Sequence, residues 1–232
     1  MRSKEHQVYP KRIVLQILGL ALLVTLTGLA PSACGGGQEE VKTSPLPQGP
    51  KALRPGEYRP QGFEPSLSFR VGVGWSTSPP EASDALFIVH GETTGIGFVN
   101  AQEVFKPTKT GTPNVVEAPE DMVGWFQRHP YLQTDNSEVV TVGGVKGERF
   151  DVVVEDLPED YYSVCGSDCV GLFRLSAGFP VSLVEADKVR LFVLEDVKGE
   201  TVTLGFVSPA TEFDEFAPEA QKVIDTVEWG GS

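Results

Sequence analysis

The chain has 232 residues, 40% of them hydrophobic, with 19 basic against 32 acidic side chains and a formal net charge of −13. A field of that sign repels polyanions, which argues against nucleic acid or an anionic lipid surface as a direct partner. The length supplies core for one domain.

The first element is a leader. Arg2, Lys4, Lys11 and Arg12 form a cationic start, an apolar run of eighteen residues fills 13–30, and the small residues Ala30, Ser32 and Ala33 precede Cys34. Those are the three parts an export signal needs. They resemble a bacterial lipoprotein signal peptide: Ser32, Ala33 and Cys34 match its processing site, while Pro31 stands where that family usually has Leu. The resemblance implies that residues 1–33 are removed and that Cys34 is diacylated, anchoring an exported protein to the cell membrane. Two acyl chains hold stably where one is marginal. Ordinary signal peptidase cleavage and an uncut spanning helix are the alternatives, because eighteen residues rise roughly 27 Å. All three readings put the folded part outside the cytoplasm.

Residues 34–57 read as a flexible tether, with Gly35, Gly36 and Gly37 followed by Pro45, Pro47, Pro50 and Pro55 among polar side chains. A single domain is expected over 58–230. Its first strand is 66–71, where Leu67, Phe69 and Val71 alternate with Ser66, Ser68 and Arg70 before a Gly74 and Trp75 corner. Apolar runs at 85–90 and 95–99 make a hairpin, and 104–106 continues its second arm until Pro107 stops it. Met122, Trp125 and Phe126 recur at helical spacing between Pro119 and Pro130, which predicts a short amphipathic helix. Strands follow at 139–142 and 145–154 around Gly143 and Gly144, then at 171–175, 181–185, 189–197 and 201–207, with a Lys198 and Gly199 turn in the last pair. The final element is a helix over 212–229, interrupted or restarted at Pro218.

Hairpins with two helical segments, and no alternation of strand and helix, predict an α+β class: a mostly antiparallel sheet with helices packed on it. The strand at 66–71 with its Gly74 and Trp75 corner, the hairpin about Gly199 and the closing Thr226, Val227, Glu228, Trp229 resemble the PsbP-like sandwich, which includes LpqN-type exported lipoproteins. That resemblance implies a non-catalytic envelope protein and transfers no functional residue.

Chemistry is sparse. His90 and His129 are the histidines outside the leader, and each has a structural explanation, at a strand end and at a helix C-terminus. Neither a hydrolase elbow, a phosphate-binding loop nor a paired-histidine zinc helix is present in the sequence. Cys165 and Cys169 form an even pair in the oxidising compartment that export implies, and a disulfide is expected there. Zinc or thiol exchange at that pair would need other spacings. The most suggestive patch is Glu159, Asp160, Tyr161, Tyr162 and Asp168, acidic and aromatic groups on the cysteine loop that suit a binding surface. No catalytic residue, metal or cofactor is assigned. The expected role is a membrane-tethered accessory or binding module whose partner is an envelope protein or a small ligand; the alternative is an exported hydrolase built from scattered carboxylates and a histidine.

Overall fold

The structure is a computed structural model that describes residues 43–108, 114–166 and 168–230. Cys34 and the leader lie outside the described residues. In chain order the elements are β1 (Ser44–Pro45), β2 (Gly56–Arg59), β3 (Leu67–Val71), β4 (Trp75–Ala82), β5 (Ala85–His90), β6 (Gly95–Val99), β7 (Glu103–Phe105), β8 (Val115–Glu117) and α1 (Met122–Gln127). They continue with β9 (Leu132–Thr134), β10 (Glu138–Val142), β11 (Val145–Val154), β12 (Cys169–Arg174), β13 (Pro180–Val184), β14 (Asp187–Val197), β15 (Glu200–Pro209), α2 (Phe213–Ile224) and β16 (Glu228–Trp229).

A central antiparallel sheet runs β10-β11-β14-β15-β6-β5-β4, with β9 beside β11. Both of its faces are covered. Successive side chains on a strand point to opposite faces, so Val202, Leu204 and Phe206 of β15 enter one core while Thr203, Gly205 and Val207 turn to the other. The first face carries α2, through Phe213, Phe216, Ala220, Val223 and Ile224, and a small sheet β1-β2-β3-β16. The second face carries α1, through Met122, Val123 and Phe126, and another sheet β13-β12-β7-β8.

This arrangement corrects the expected α+β class. The protein is mostly β, with sixteen strands and two helices among the described residues. The sequence reading covered the sheet with helices alone, whereas most of the second face is covered by β7, β8, β12 and β13. The 104–106 segment does not extend β6; as β7 it pairs with β12 and β8. β4 passed unread because it contains Pro79 and Pro80. It is the end strand of the central path, and its register shifts between Ser78 and Ala82, so the missing N–H groups fall where a sheet tolerates them.

Two boundaries also move. The tether expected over 34–57 is part of the domain from Thr43 onward: Leu46 and Leu53 are buried, and β1 pairs in parallel with β2. The last helix stops at Ile224 instead of reaching 229. Thr226 Oγ1 donates to the Val223 carbonyl at 2.7 Å and accepts the Arg70 N–H at 2.8 Å, which turns the chain into β16 beside β3. The three hairpins read from sequence, β5 with β6, β10 with β11 and β14 with β15, stand in the structure. Lys198 and Gly199 take φ of 58° and 89°, the left-handed pair that a two-residue hairpin turn requires.

Candidate functional site

Two neighbouring strands of the central sheet carry glycine on the second face. Gly97 of β6 lies opposite Gly205 of β15, and Gly95 shares their face. A Cβ on Gly97 would lie 2.9 Å from Phe87 Cε1, and one on Gly205 would lie 2.8 Å from Leu191 Cδ2. Neighbouring side chains thus lean over bare backbone without filling the layer. Between this patch and the β12–β13 hairpin is a cleft of about 390 Å³. That is within the range of small-molecule sites, near its lower end. Leu172, Leu175, Val181 and Leu183 wall it on the hairpin side, and Phe87 and Val89 on the β5 side.

The cleft has few polar groups. Among the described residues Glu92 is the one charged residue in its lining, in the β5–β6 turn next to Thr93 and Thr94. Ser182 Oγ is buried with no hydrogen-bond partner among the described residues, but it lies opposite Gly171, on the strand face away from Val181 and Leu183. The hairpin wall is held in place by Asp84, 8% exposed, whose carboxylate accepts the Ser176 N–H at 2.5 Å and the Ser176 hydroxyl at 2.9 Å. Because Asp84 sits in the β4–β5 turn, this contact ties the tip of the wall to the central sheet.

The residues singled out in the sequence do not gather at the cleft. Cys165 and Cys169 form a disulfide with Cα atoms 6.1 Å apart. Neither sulfur is therefore a thiolate, and among the described residues no group of three or more His, Cys, Asp or Glu is placed to hold a metal. Tyr161 and Tyr162 separate: Tyr161 is buried against Tyr131 with ring centroids 4.9 Å apart, while Tyr162 is 63% exposed. Burial, with Tyr131 beside it, pushes the Tyr161 phenol up. Glu159, Asp160 and Asp168 are exposed on the same loop.

The histidines are occupied structurally. His90 packs against Trp75 and Phe216, with centroids 5.2 and 6.1 Å away. His129 is 5% exposed; its Nδ1 accepts the Tyr131 N–H at 3.3 Å, and desolvation pushes its pKa down to about 4. It borders a pocket of about 20 Å³ with Tyr161 and Ser163, room for one water. Neither ring hydrogen-bonds a carboxylate among the described residues, so the acid–base pair a scattered hydrolase site needs is not assembled around them.

A second polar cluster lies on the first face. Asp151, 9% exposed, accepts Arg190 Nε at 2.6 Å and pairs with Lys188 Nζ at 2.8 Å. Burial pushes its carboxyl up, but the hydrogen bonds and charges of Arg190 and Lys188 outweigh that and hold it below the usual carboxylate range. Both cations lie over the Phe213 ring, at 5.5 and 4.6 Å, so the cluster clamps α2 to the sheet.

The glycines escaped the sequence reading as site residues. Their signal was nonetheless present: Gly97 and Gly205 interrupt apolar strand interiors, where a missing side chain marks close backbone approach or a ligand. Among the described residues no helix is long and apolar enough to cross a membrane, and the run at 13–30 lies outside them.

No family model matches the chain, and no curated protein matches it. Among solved structures, it is similar to the solution structure of cyanobacterial PsbP (CyanoP) from Synechocystis sp. PCC 6803, over 77% of this chain and 93% of that one, at 11% identity and a TM-score of 0.40. That protein shares its name with the sandwich that the element pattern resembles, and the likeness carries neither a family nor an activity to this chain.

Proposed function

We propose that this protein is a non-catalytic binding module of the cell envelope, held at a membrane by lipid on Cys34, which takes up a small apolar ligand in the glycine-floored cleft. The observation that carries the binding reading is the cleft itself: an apolar space between the glycine-bearing strands and the β12–β13 hairpin, whose tip is pinned by Asp84. A protein with no use for that space gains by filling it, since a buried methylene contributes about 0.8 kcal/mol. The leader residues and the small residues before Cys34 support the address.

Two measurements test the reading. A neutral environment-sensitive dye such as Nile red should brighten on the wild-type protein and stay dark with Gly97→Val, whose added methyls enter the cleft. Equal signal from both proteins would remove the cleft as the site. Intact mass of the membrane-extracted protein should show a diacylglyceryl-modified chain beginning at Cys34; an unmodified or uncut chain would remove the anchor.

A further inference from the structure

We infer that the Cys165–Cys169 disulfide is a latch opened by an external dithiol, with Cys165 as the sulfur attacked and the turn 163–166 as the cover released. This goes beyond the binding reading and does not depend on it. Thiol–disulfide exchange needs a thiolate to approach one sulfur along the S–S axis, from the side away from the other sulfur. Cys169 is 1% exposed at the start of β12, so its far side is closed, whereas Cys165 is exposed in the loop. The incoming thiolate bonds to Cys165 Sγ, the bond between the two cysteines breaks, and Cys169 leaves as a thiolate. The Ser163 hydroxyl, which donates to the Cys169 carbonyl at 2.8 Å, lies 3.5 Å from Cys169 Sγ and is the donor at hand for that charge. The second thiol of the reagent then attacks the mixed disulfide and releases Cys165, so that two electrons and two protons pass from the dithiol to the protein.

The turn covers polar groups that gain by being uncovered. Val164 lies over Gly171 of β12, where an added Cβ would be 2.9 Å from Val164 Cγ2. Gly171 pairs with Ser182 of β13, so both face the turn, and there Ser182 Oγ is buried with no partner among the described residues. Ser163 and Val164 also wall the pocket of about 20 Å³ beside His129. An unpaired buried hydroxyl disfavours the closed arrangement, and water reaching it on opening recovers the loss. Against this, the turn itself is closed by two backbone hydrogen bonds between Ser163 and Gly166, at 2.8 and 3.3 Å. The covalent staple therefore decides whether the cover stays shut, on the face of the hairpin opposite the cleft.

Reduction of the purified full chain by dithiothreitol, followed by intact mass after acid quenching, tests the point of entry. Attack at an exposed sulfur proceeds on the folded protein, so the rate should change by less than about twofold in Phe206→Ala, whose core is weakened. Reduction that requires unfolding would run about a hundredfold or more faster in that variant, and this result would overturn the exposed entry. Where Phe206→Ala fails to fold, wild type in urea below its unfolding midpoint makes the same comparison. Amide exchange of the reduced protein tests the latch. The Ser163 and Gly166 amides should exchange about tenfold or more faster than in the oxidised protein, with the β14 amides unchanged. Equal exchange in the two states would overturn the latch, as would faster exchange throughout the chain, which reports unfolding instead of a local opening.

Discussion

Burial of His129 makes stability depend on pH. Its folded pKa of about 4 lies below the ordinary histidine value of 6.5, so the unfolded chain binds more protons between those values. Stability then rises with pH through that window and is lost on acidification, by about 3 kcal/mol once pH reaches 4. Urea unfolding at about pH 7 and pH 4.5 should show His129→Phe losing less stability on acidification than wild type; parallel losses would mean that the imidazole is not buried neutral. Asp151 acts in a lower window. Because its folded pKa is depressed, its contribution is present above the unfolded carboxylate value and disappears as pH falls through the folded one. Asp151→Asn should cost about 2–3 kcal/mol, less than for a fully buried pair because Arg190 and Lys188 keep partial solvent access. At this scale the sequence was partly legible. Alternation placed Leu67, Phe69 and Val71 inside, but adjacency grouped Tyr161 with Tyr162, and nothing local showed that Tyr131 would cover the first and leave the second in water.

Among the elements, α2 carries Pro218 in its interior and remains continuous from Phe213 to Ile224. The proline removes one backbone donor on an exposed face. Pro218→Ala should therefore raise stability by about 1–3 kcal/mol, read as a shift in denaturation midpoint; an unchanged or lower midpoint would show that the ring organises the helix. The disulfide closes a five-residue loop, for which chain entropy gives about 2 kcal/mol. Joint Cys165→Ala and Cys169→Ala should cost about that much and leave dye binding in the cleft intact. Loss of dye binding would mean that the bridge also shapes the β12 wall. Elements with a local cause were readable: the three hairpins announce themselves by turns between apolar runs. β1, β4 and β8 were not, because a strand two, three or eight residues long with prolines or charges in it is defined by its partner strand, and partnership is not local.

For the molecule as a whole, the central sheet is the common wall of two cores, and the difference between them lies in how completely each is filled. The first face is sealed by aromatic contacts such as Phe206 with Phe213, 5.6 Å apart; the second is open where the glycines meet. Phe206→Ala should cost about 3–5 kcal/mol, seen in equilibrium unfolding, whereas Gly97→Val, whose Cβ would lie 2.9 Å from Phe87 Cε1 and push that ring aside, should cost about 1–3 kcal/mol. A large loss with Gly97→Val would mean the cleft is too tight to admit a ligand. The fold class was misjudged for the same reason that the cleft was missed: both depend on what covers the second face, and that cover is assembled from strands 70 residues apart in sequence, β7 with β12.

The small sheet β1-β2-β3-β16 brings the beginning and end of the described chain together. Ser44 is level with Tyr58, which is level with Phe69, and Trp229 is level with Leu67, two residues along. Three strand spacings separate the outer strands, roughly 15 Å, a gap that a linker of about six residues spans. A circular permutant that joins 230 to 43 and opens at the Lys198 and Gly199 turn would keep every strand pairing, and its cleft would be built from segments in a new order. Cleft occupancy in such a protein would separate two properties the natural chain presents as one: the register of its strands, and the sequence in which they are made.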